Sequence, residues 1–187
     1  EVGRWYRALE AGRLGLTPEI ESMVRELVAG KKNPPEKLEA IYRFVSQSIR
    51  YVSISLGLGG YQPHRAAEVL QNQYGDCKDK HTLFAAMLSA AGLVAYPTLI
   101  STDLPIESSV PSPGQFNHLI SVVPLGEEWL WLDSTLEVAP AGFLPRYLRG
   151  KQALVMLPND SRLVETPKTS PIPDERRASL LGKIDMK

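Results

Sequence analysis

The chain carries its single cysteine in the stretch Tyr74-Gly75-Asp76-Cys77-Lys78-Asp79-Lys80. Aspartate is a preferred N-cap residue, so Asp76 predicts that a helix begins at Cys77. Gly92 fits the end of this helix. One face is predicted to be deeply buried, because apolar residues recur at helical spacing: Leu83, Phe84, Met87, Leu88 and Ala91. A cysteine at a helix N-terminus lies at the positive end of the helix dipole, which favours the nucleophilic thiolate.

Upstream of this stretch the sequence predicts mainly helices. Residues 17–30 have Thr17 as a cap, Pro18 at the first helical position and Gly30 at the exit. A second helix is predicted to begin at Asn33, and a short one to cover residues 66–71. Between the last two, residues 51–55 are predicted to be extended. The glycine-rich residues 57–60 lack the Lys-Ser/Thr of a phosphate-binding loop and are interpreted as a flexible turn.

Downstream of Gly92 the pattern changes to strands. They are predicted at residues 93–101, 116–123, 129–133 and 152–157. Helices followed by an antiparallel sheet indicate an α+β fold rather than alternating βαβ units. We therefore predict one domain over residues 1–157. The proline-rich, charged residues 158–187 are predicted to be a linker or the start of a following β-domain.

Composition excludes several functional classes. The 187 residues include 21 Lys and Arg against 21 Asp and Glu, and this formal neutrality gives no support for nucleic-acid or anionic-membrane binding. No apolar run reaches the roughly 20 residues needed to cross a bilayer. One cysteine can form neither an internal disulfide nor a cysteine-rich metal site, and no cofactor is expected. Since the first residue is Glu1 rather than Met, we expect a processed product or a segment of a longer protein.

The three histidines differ in their sequence context. His64 lies in a proline-flanked loop and is predicted to be a surface residue. His81 follows Cys77 by one helical turn, which predicts a polar residue at the helix flank, or with Cys77 and a carboxylate a weak metal site. His118 begins a predicted hairpin. If the turn centres on residues 125–126, His118 lies directly opposite Asp133, and such cross-strand pairs share one face of the sheet. A carboxylate there can orient an imidazole for catalysis, or form a purely structural hydrogen bond.

Three segments together resemble transglutaminase-like domains of the papain-like superfamily. They are Tyr74-Gly75-Asp76-Cys77, Phe116-Asn117-His118 and Trp131-Leu132-Asp133-Ser134-Thr135. The version Gly-Asp-Cys-Lys-Asp-Lys is similar to bacterial multidomain proteins in which such a domain follows a β-rich domain. The resemblance spans roughly residues 5–157. It implies a papain-like fold, flanking domains and a periplasmic or cell-envelope location.

The resemblance also implies roles for individual residues. Cys77 would be the nucleophile, His118 the base and Asp133 its orienting partner, acting on a peptide or protein amide. The Cys77 backbone N–H would be one donor to the oxyanion, with Gln62 and Gln73 as candidates for the second. Lys78 stands where eukaryotic transglutaminases carry an aromatic residue. Lys78 and Lys80 are expected to be solvated, or to set the potential near the thiolate. A catalytically inactive binding or scaffolding module of an envelope protein is the alternative function.

Overall fold

The computed structural model describes residues 1–53 and 60–172. Five helices precede most of the strands in the chain, so the predicted α+β arrangement is confirmed. The helices are α1 (Val2–Glu10), α2 (Pro18–Leu27), α3 (Pro34–Ser48), α4 (Ala66–Asn72) and α5 (Cys77–Ala90). The predicted glycine-rich turn lies largely outside the described residues.

Within the described residues, seven strands form two sheets. β1 (Arg50–Tyr51) and β2 (Tyr74–Gly75) make a short parallel pair. The main sheet is antiparallel, with its strands in the order β5, β4, β3, β6, β7. Its strands are β3 (Tyr96–Ile100), β4 (His118–Leu125), β5 (Glu128–Leu132), β6 (Gln152–Met156) and β7 (Ser161–Glu165).

The helix starts follow from local capping, as the sequence predicts. Thr17 accepts a hydrogen bond from the N–H of Ile20, and Asn33 accepts one from the N–H of Glu36. Both helices have proline in the first turn, where its missing N–H costs no hydrogen bond. The sequence patterns predict no helix before residue 17, so α1 is a finding of the structure.

The main hydrophobic core lies between the helices and one face of the sheet. Helix α5 runs through it and is buried at nearly every position from Lys78 to Leu88. It packs against α2, α3 and α4 on one side and against β4 on the other. A second cluster covers the opposite face of the sheet and includes Trp131, Ile120 and Leu148. Both faces of the sheet are therefore covered by apolar side chains.

The segment after residue 157 contributes the edge strand β7, which pairs with β6 over five residues. Residues 173–187 lie outside the described part of the chain, and the division into two domains stays a prediction. Within residues 1–53 and 60–172, no helix is both long and apolar enough to span a bilayer.

Candidate active site

Cys77 is the first residue of α5, as the cap predicts. The Asp76 side chain accepts hydrogen bonds from the N–H groups of Lys78 and Asp79. In return, the Asp79 carboxylate accepts one from the Asp76 N–H at 3.2 Å, which completes a capping box. The two aspartates thus fix the helix start that carries the half-buried Cys77.

Gly75 allows this helix start to approach β2 closely. A Cβ atom at this position would lie 2.5 Å from the Asp79 Cβ, which is far inside van der Waals contact. The same Asp79 carboxylate holds the loop beside the site, since it accepts hydrogen bonds from the N–H of His64 and pairs with its Nδ1. Glycine at residue 75 is therefore required by packing.

Replacing Gly75 by alanine is expected to lower the free energy of unfolding by about 1–3 kcal/mol, because Asp79 must move and the cap is disturbed. Urea denaturation measures the change. Gly15→Ala is the matched control, since a Cβ at Gly15 has no neighbour within 4 Å. Equal stabilities of the two variants would contradict this account of Gly75.

His118 and Asp133 are brought together, although the predicted register is wrong. The hairpin loop consists of Gly126 and Glu127, because Leu125 pairs with Glu128. The turn therefore lies one residue later than predicted, and every cross-strand partner shifts by two residues. A shift of two keeps each side chain on its own face, so Asp133 becomes a diagonal neighbour of His118. His118 Nε2 lies 2.9 Å from Asp133 Oδ2.

Hydrogen bonds from Thr135 and Tyr42 fix the position of Asp133. It is completely buried, and its Oδ1 accepts hydrogen bonds from the backbone N–H of Thr135 at 2.9 Å and from its hydroxyl at 2.7 Å. Its backbone carbonyl accepts a hydrogen bond from the Tyr42 hydroxyl at 2.9 Å. One carboxylate oxygen is thereby occupied by Thr135, and the other is directed to His118.

The electrostatics of this pair favour charge on both partners. Burial by itself lowers the pKa of His118, but hydrogen bonds with Asp133 and Cys77 and the attraction of their charges raise it to about 10. Burial by itself raises the pKa of Asp133, but the hydrogen bond from His118, its positive charge and the bonds from Thr135 hold that pKa below its usual value. At neutral pH the pair is an imidazolium beside a carboxylate.

Cys77 and His118 line one cavity of about 390 Å³. Most of its walls are aromatic or aliphatic: the lining residues are Trp5, Tyr6, Gly60, Tyr61, Cys77, Lys78, Leu99, Pro113, Phe116, Asn117, His118 and Leu119. Asp133 stands behind His118 and is shielded from solvent. The three residues predicted to act together therefore converge on one cleft.

The two glutamines named as oxyanion candidates are not among the residues that line this cavity. Gln62 is half-buried and directly follows the lining residues Gly60 and Tyr61. Gln73 is exposed in a left-handed conformation (φ 56°) at the end of α4. Their assignment stays a prediction.

The two lysine side chains in the first turn of α5 differ from expectation. Lys78 and Lys80 are buried rather than solvated. Lys78 pairs with Asp76, and Lys80 donates to the carbonyls of Ser46 and Ile49 at the end of α3. Such bonds replace the water that a buried ammonium group loses.

His81 is also buried, rather than lying at the helix flank. Its Nδ1 lies 2.7 Å from the Ser121 hydroxyl, and its Nε2 lies 3.5 Å from Glu10 Oε1. Burial lowers the pKa of His81 to about 3, so the ring is neutral at pH 7 and its contact with Glu10 is not an ion pair. The described residues contain no group of three His, Cys, Asp or Glu side chains suited to a metal ion, so the alternative metal site lacks a ligand set there.

The contribution of α1 to the site is not predicted by the sequence patterns. Tyr6 and Trp5 line the cavity, and Glu10 lies against His81. The spacing of Val2, Tyr6 and Glu10 at i, i+4 and i+8 was the available signal, since all three share one helix face and are buried.

The family model of the transglutaminase-like superfamily matches residues 21–133, which is more than half of the 187 residues. The chain belongs to the transglutaminase-like superfamily. The matched range includes Cys77, His118 and Asp133 and begins after α1. A search of curated proteins finds no significant match.

Two solved structures share the transglutaminase-like fold with this chain. One is a "putative protease" from Parabacteroides distasonis ATCC 8503, with a TM-score of 0.68 and 18% identity. The match covers 89% of this chain and 31% of that protein. The other is a "putative cysteine protease" from Cytophaga hutchinsonii, with a TM-score of 0.50 and 16% identity, covering 88% of this chain and 55% of that one. The chain thus spans about a third to a half of these proteins, and at such identities the likeness shows the fold alone.

Proposed function

We propose that the chain catalyses cysteine-dependent acyl transfer on amide or peptide bonds. The observation that carries this proposal is the cleft that Cys77 and His118 share. Cys77 is the first residue of α5, and the His118 imidazole is hydrogen-bonded to the buried Asp133 carboxylate. His118 Nε2 is bound to Asp133, so Nδ1 is the ring nitrogen left to serve Cys77. A thiolate and an imidazolium stabilise each other in such a pair.

The proposed reaction has two stages. The Cys77 sulfur attacks the carbonyl carbon of the amide, the C–N bond breaks, and the leaving amine takes a proton from the His118 imidazolium. A second nucleophile then attacks the thioester and gives its proton to His118, which releases Cys77. Water as that nucleophile makes the chain a protease or amidase, whereas an amine makes it a transglutaminase.

The cavity walls support a peptide or protein as the substrate. Apolar side chains such as Leu99, Phe116 and Leu119 offer surface to side chains flanking the scissile bond. Lys78 lies in the wall but is neutralised by Asp76, so it adds little net charge. The periplasmic or envelope location and the flanking domains stay predictions from the resemblance.

The test is the pH dependence of Cys77 alkylation by iodoacetamide. We expect the wild-type rate to change less than about threefold between pH 6 and pH 9, because His118, whose pKa is raised to about 10, stays an imidazolium beside the sulfur throughout this range. His118→Ala is expected to lower the rate at pH 6 by about 100-fold or more and to approach the wild-type rate near pH 9, since an isolated thiol with a pKa near 8.5 is less than about 1% ionised at pH 6.

His64→Ala is the matched histidine control, because its side chain is 64% exposed and the backbone N–H bond to Asp79 is kept. This variant should retain the flat profile. A wild-type rate that rises about tenfold per pH unit from pH 6 to pH 8 would instead indicate an ordinary thiol, and would favour a binding or scaffolding module.

A further inference from the structure

The polar side chains of the cavity wall are mostly engaged with neighbours. Lys78 pairs with Asp76. Asn117 Nδ2 donates to Thr102 Oγ1 at 2.9 Å and to Asp103 Oδ2 at 2.8 Å. His118 is bound to the buried carboxylate behind it, as described above. The Asn117 amide therefore has both N–H groups in use, the Lys78 ammonium is held by Asp76, and His118 keeps Nδ1 for Cys77.

Tyr6 is different. Its ring packs in a small cluster with Leu119 and Met156, against which Cys77 also lies. Only 2% of the residue is exposed, and its Oη has no hydrogen-bond partner among the described residues. A buried hydroxyl without a partner costs about 1–3 kcal/mol. Tyr6 lines the Cys77 cavity but its Oη is itself covered, so a ligand that brings an oxygen acceptor would pair with this donor after a small shift of the ring.

The alignment of two helices places Tyr6 at the level of the nucleophile. Tyr6 and Glu10 are one turn apart on α1, and Cys77 and His81 are one turn apart on α5. Glu10 contacts His81, while Tyr6 packs next to Cys77. Tyr6 also lines the cavity that contains Cys77, so its side chain lies in the same wall as the nucleophile.

We propose that Tyr6 donates its phenolic hydrogen bond to the acyl oxygen of the substrate when Cys77 attacks, and so acts as the side-chain half of the oxyanion hole. The inference rests on the proposed acyl-transfer function and adds a catalytic residue to it. The backbone N–H of Cys77 is the other donor, since the Asp76 side chain accepts from Lys78 and Asp79 instead. Tyr6 replaces Gln62 and Gln73 in this role.

The environment keeps the proposed donor protonated. Burial, together with the negative charges of Glu10 and Cys77, raises the pKa of Tyr6 well above its usual value of 10. The phenol therefore holds its proton across the pH range in which the enzyme would work. The same negative charges do not repel a neutral substrate carbonyl, and the hydrogen bond strengthens as charge develops on the oxygen.

Two probes of the intact chain separate this role from a general effect on Cys77. Acylation by p-nitrophenyl acetate passes through a tetrahedral oxyanion and releases nitrophenolate, whereas alkylation by iodoacetamide displaces iodide at a saturated carbon and forms no oxyanion. We expect Tyr6→Phe to lower the acylation rate about 10²-fold and to change the alkylation rate less than twofold. Tyr147→Phe is the matched control, because Tyr147 is 47% exposed and is not among the residues that line this cavity. It should leave both rates unchanged.

The stability of Tyr6→Phe gives a further check, because the hydroxyl has no protein partner to lose. Its free energy of unfolding should equal or exceed that of the wild type. Unchanged acylation, an equal fall in acylation and alkylation, or a loss of stability above about 1 kcal/mol would each overturn the role of Tyr6. If the wild type is not acylated, or is acylated independently of His118, the proposed function itself fails and the Tyr6 inference fails with it.

Discussion

Asp133→Asn is expected to lower the rate of Cys77 acylation by p-nitrophenyl acetate about 10²-fold at pH 6. The reason lies in Thr135, whose backbone N–H and hydroxyl both donate to Asp133 Oδ1. An asparagine keeps these bonds only by placing its oxygen toward Thr135 and its NH₂ group toward His118. An NH₂ group cannot accept a hydrogen bond from Nε2–H. The ring is therefore neutral with its hydrogen on Nδ1, and the positive charge that supports the thiolate is lost.

Stopped-flow measurement of the nitrophenolate burst at pH 6 and pH 9 tests this expectation. The loss should shrink toward pH 9, where an unassisted thiol ionises. Asp160→Asn is the matched control, since the Asp160 side chain is 60% exposed in the turn between β6 and β7. An Asp133→Asn variant with wild-type acylation at pH 6 would show that the carboxylate is not needed to orient His118.

The sequence predicts helix starts well because each one depends on a few adjacent residues. Thr17, Asn33 and Asp76 all cap the helices assigned to them. The position of Cys77 at the first turn of a buried helix follows from the same local chemistry. The position of the proposed nucleophile can therefore be predicted from the few residues around Cys77.

The pairing of His118 with Asp133 depends instead on a turn whose centre the sequence left ambiguous. Gly126 adopts φ 66° at the first loop position, which shifts the hairpin by two residues from the prediction. The error leaves the pairing intact because side chains alternate with period two, and a shift of one would have separated the two residues. The correct contact was predicted from an incorrect register.

The burial of polar side chains on α5 is not predicted by the sequence patterns. Lys80 and His81 look like surface residues of an amphipathic helix, yet α5 is covered on both sides by other helices and the sheet. The covering elements lie far away in the chain, so local periodicity cannot report them. Glu10 and Tyr6, the α1 partners of this region, were missed for the same reason.

Glu10→Gln is expected to stabilise the fold by about 3 kcal/mol at pH 8. Glu10 is only 6% exposed, and burial raises its pKa from 4.5 to about 7. Between these values the folded state binds more protons than the unfolded state, so stability falls as pH rises from about 4.5 to 7 and stays low above it. The difference between the two pKa values corresponds to about 3 kcal/mol, which a neutral amide does not lose.

Free energies of unfolding at pH 4.5, 6 and 8 should therefore show a gap between variant and wild type that opens as the pH rises. His81 and His118 also titrate differently in the folded and unfolded states, but they are present in both proteins and cancel in the comparison to first order. Glu26→Gln, at an exposed position on α2, should track the wild type at every pH. A gap that is constant with pH would mean that Glu10 is not held in its neutral form. A variant less stable than the wild type at pH 8 would mean that the Glu10 carboxylate is paired with a charged His81, since an ion pair would offset the cost of burying the Glu10 charge.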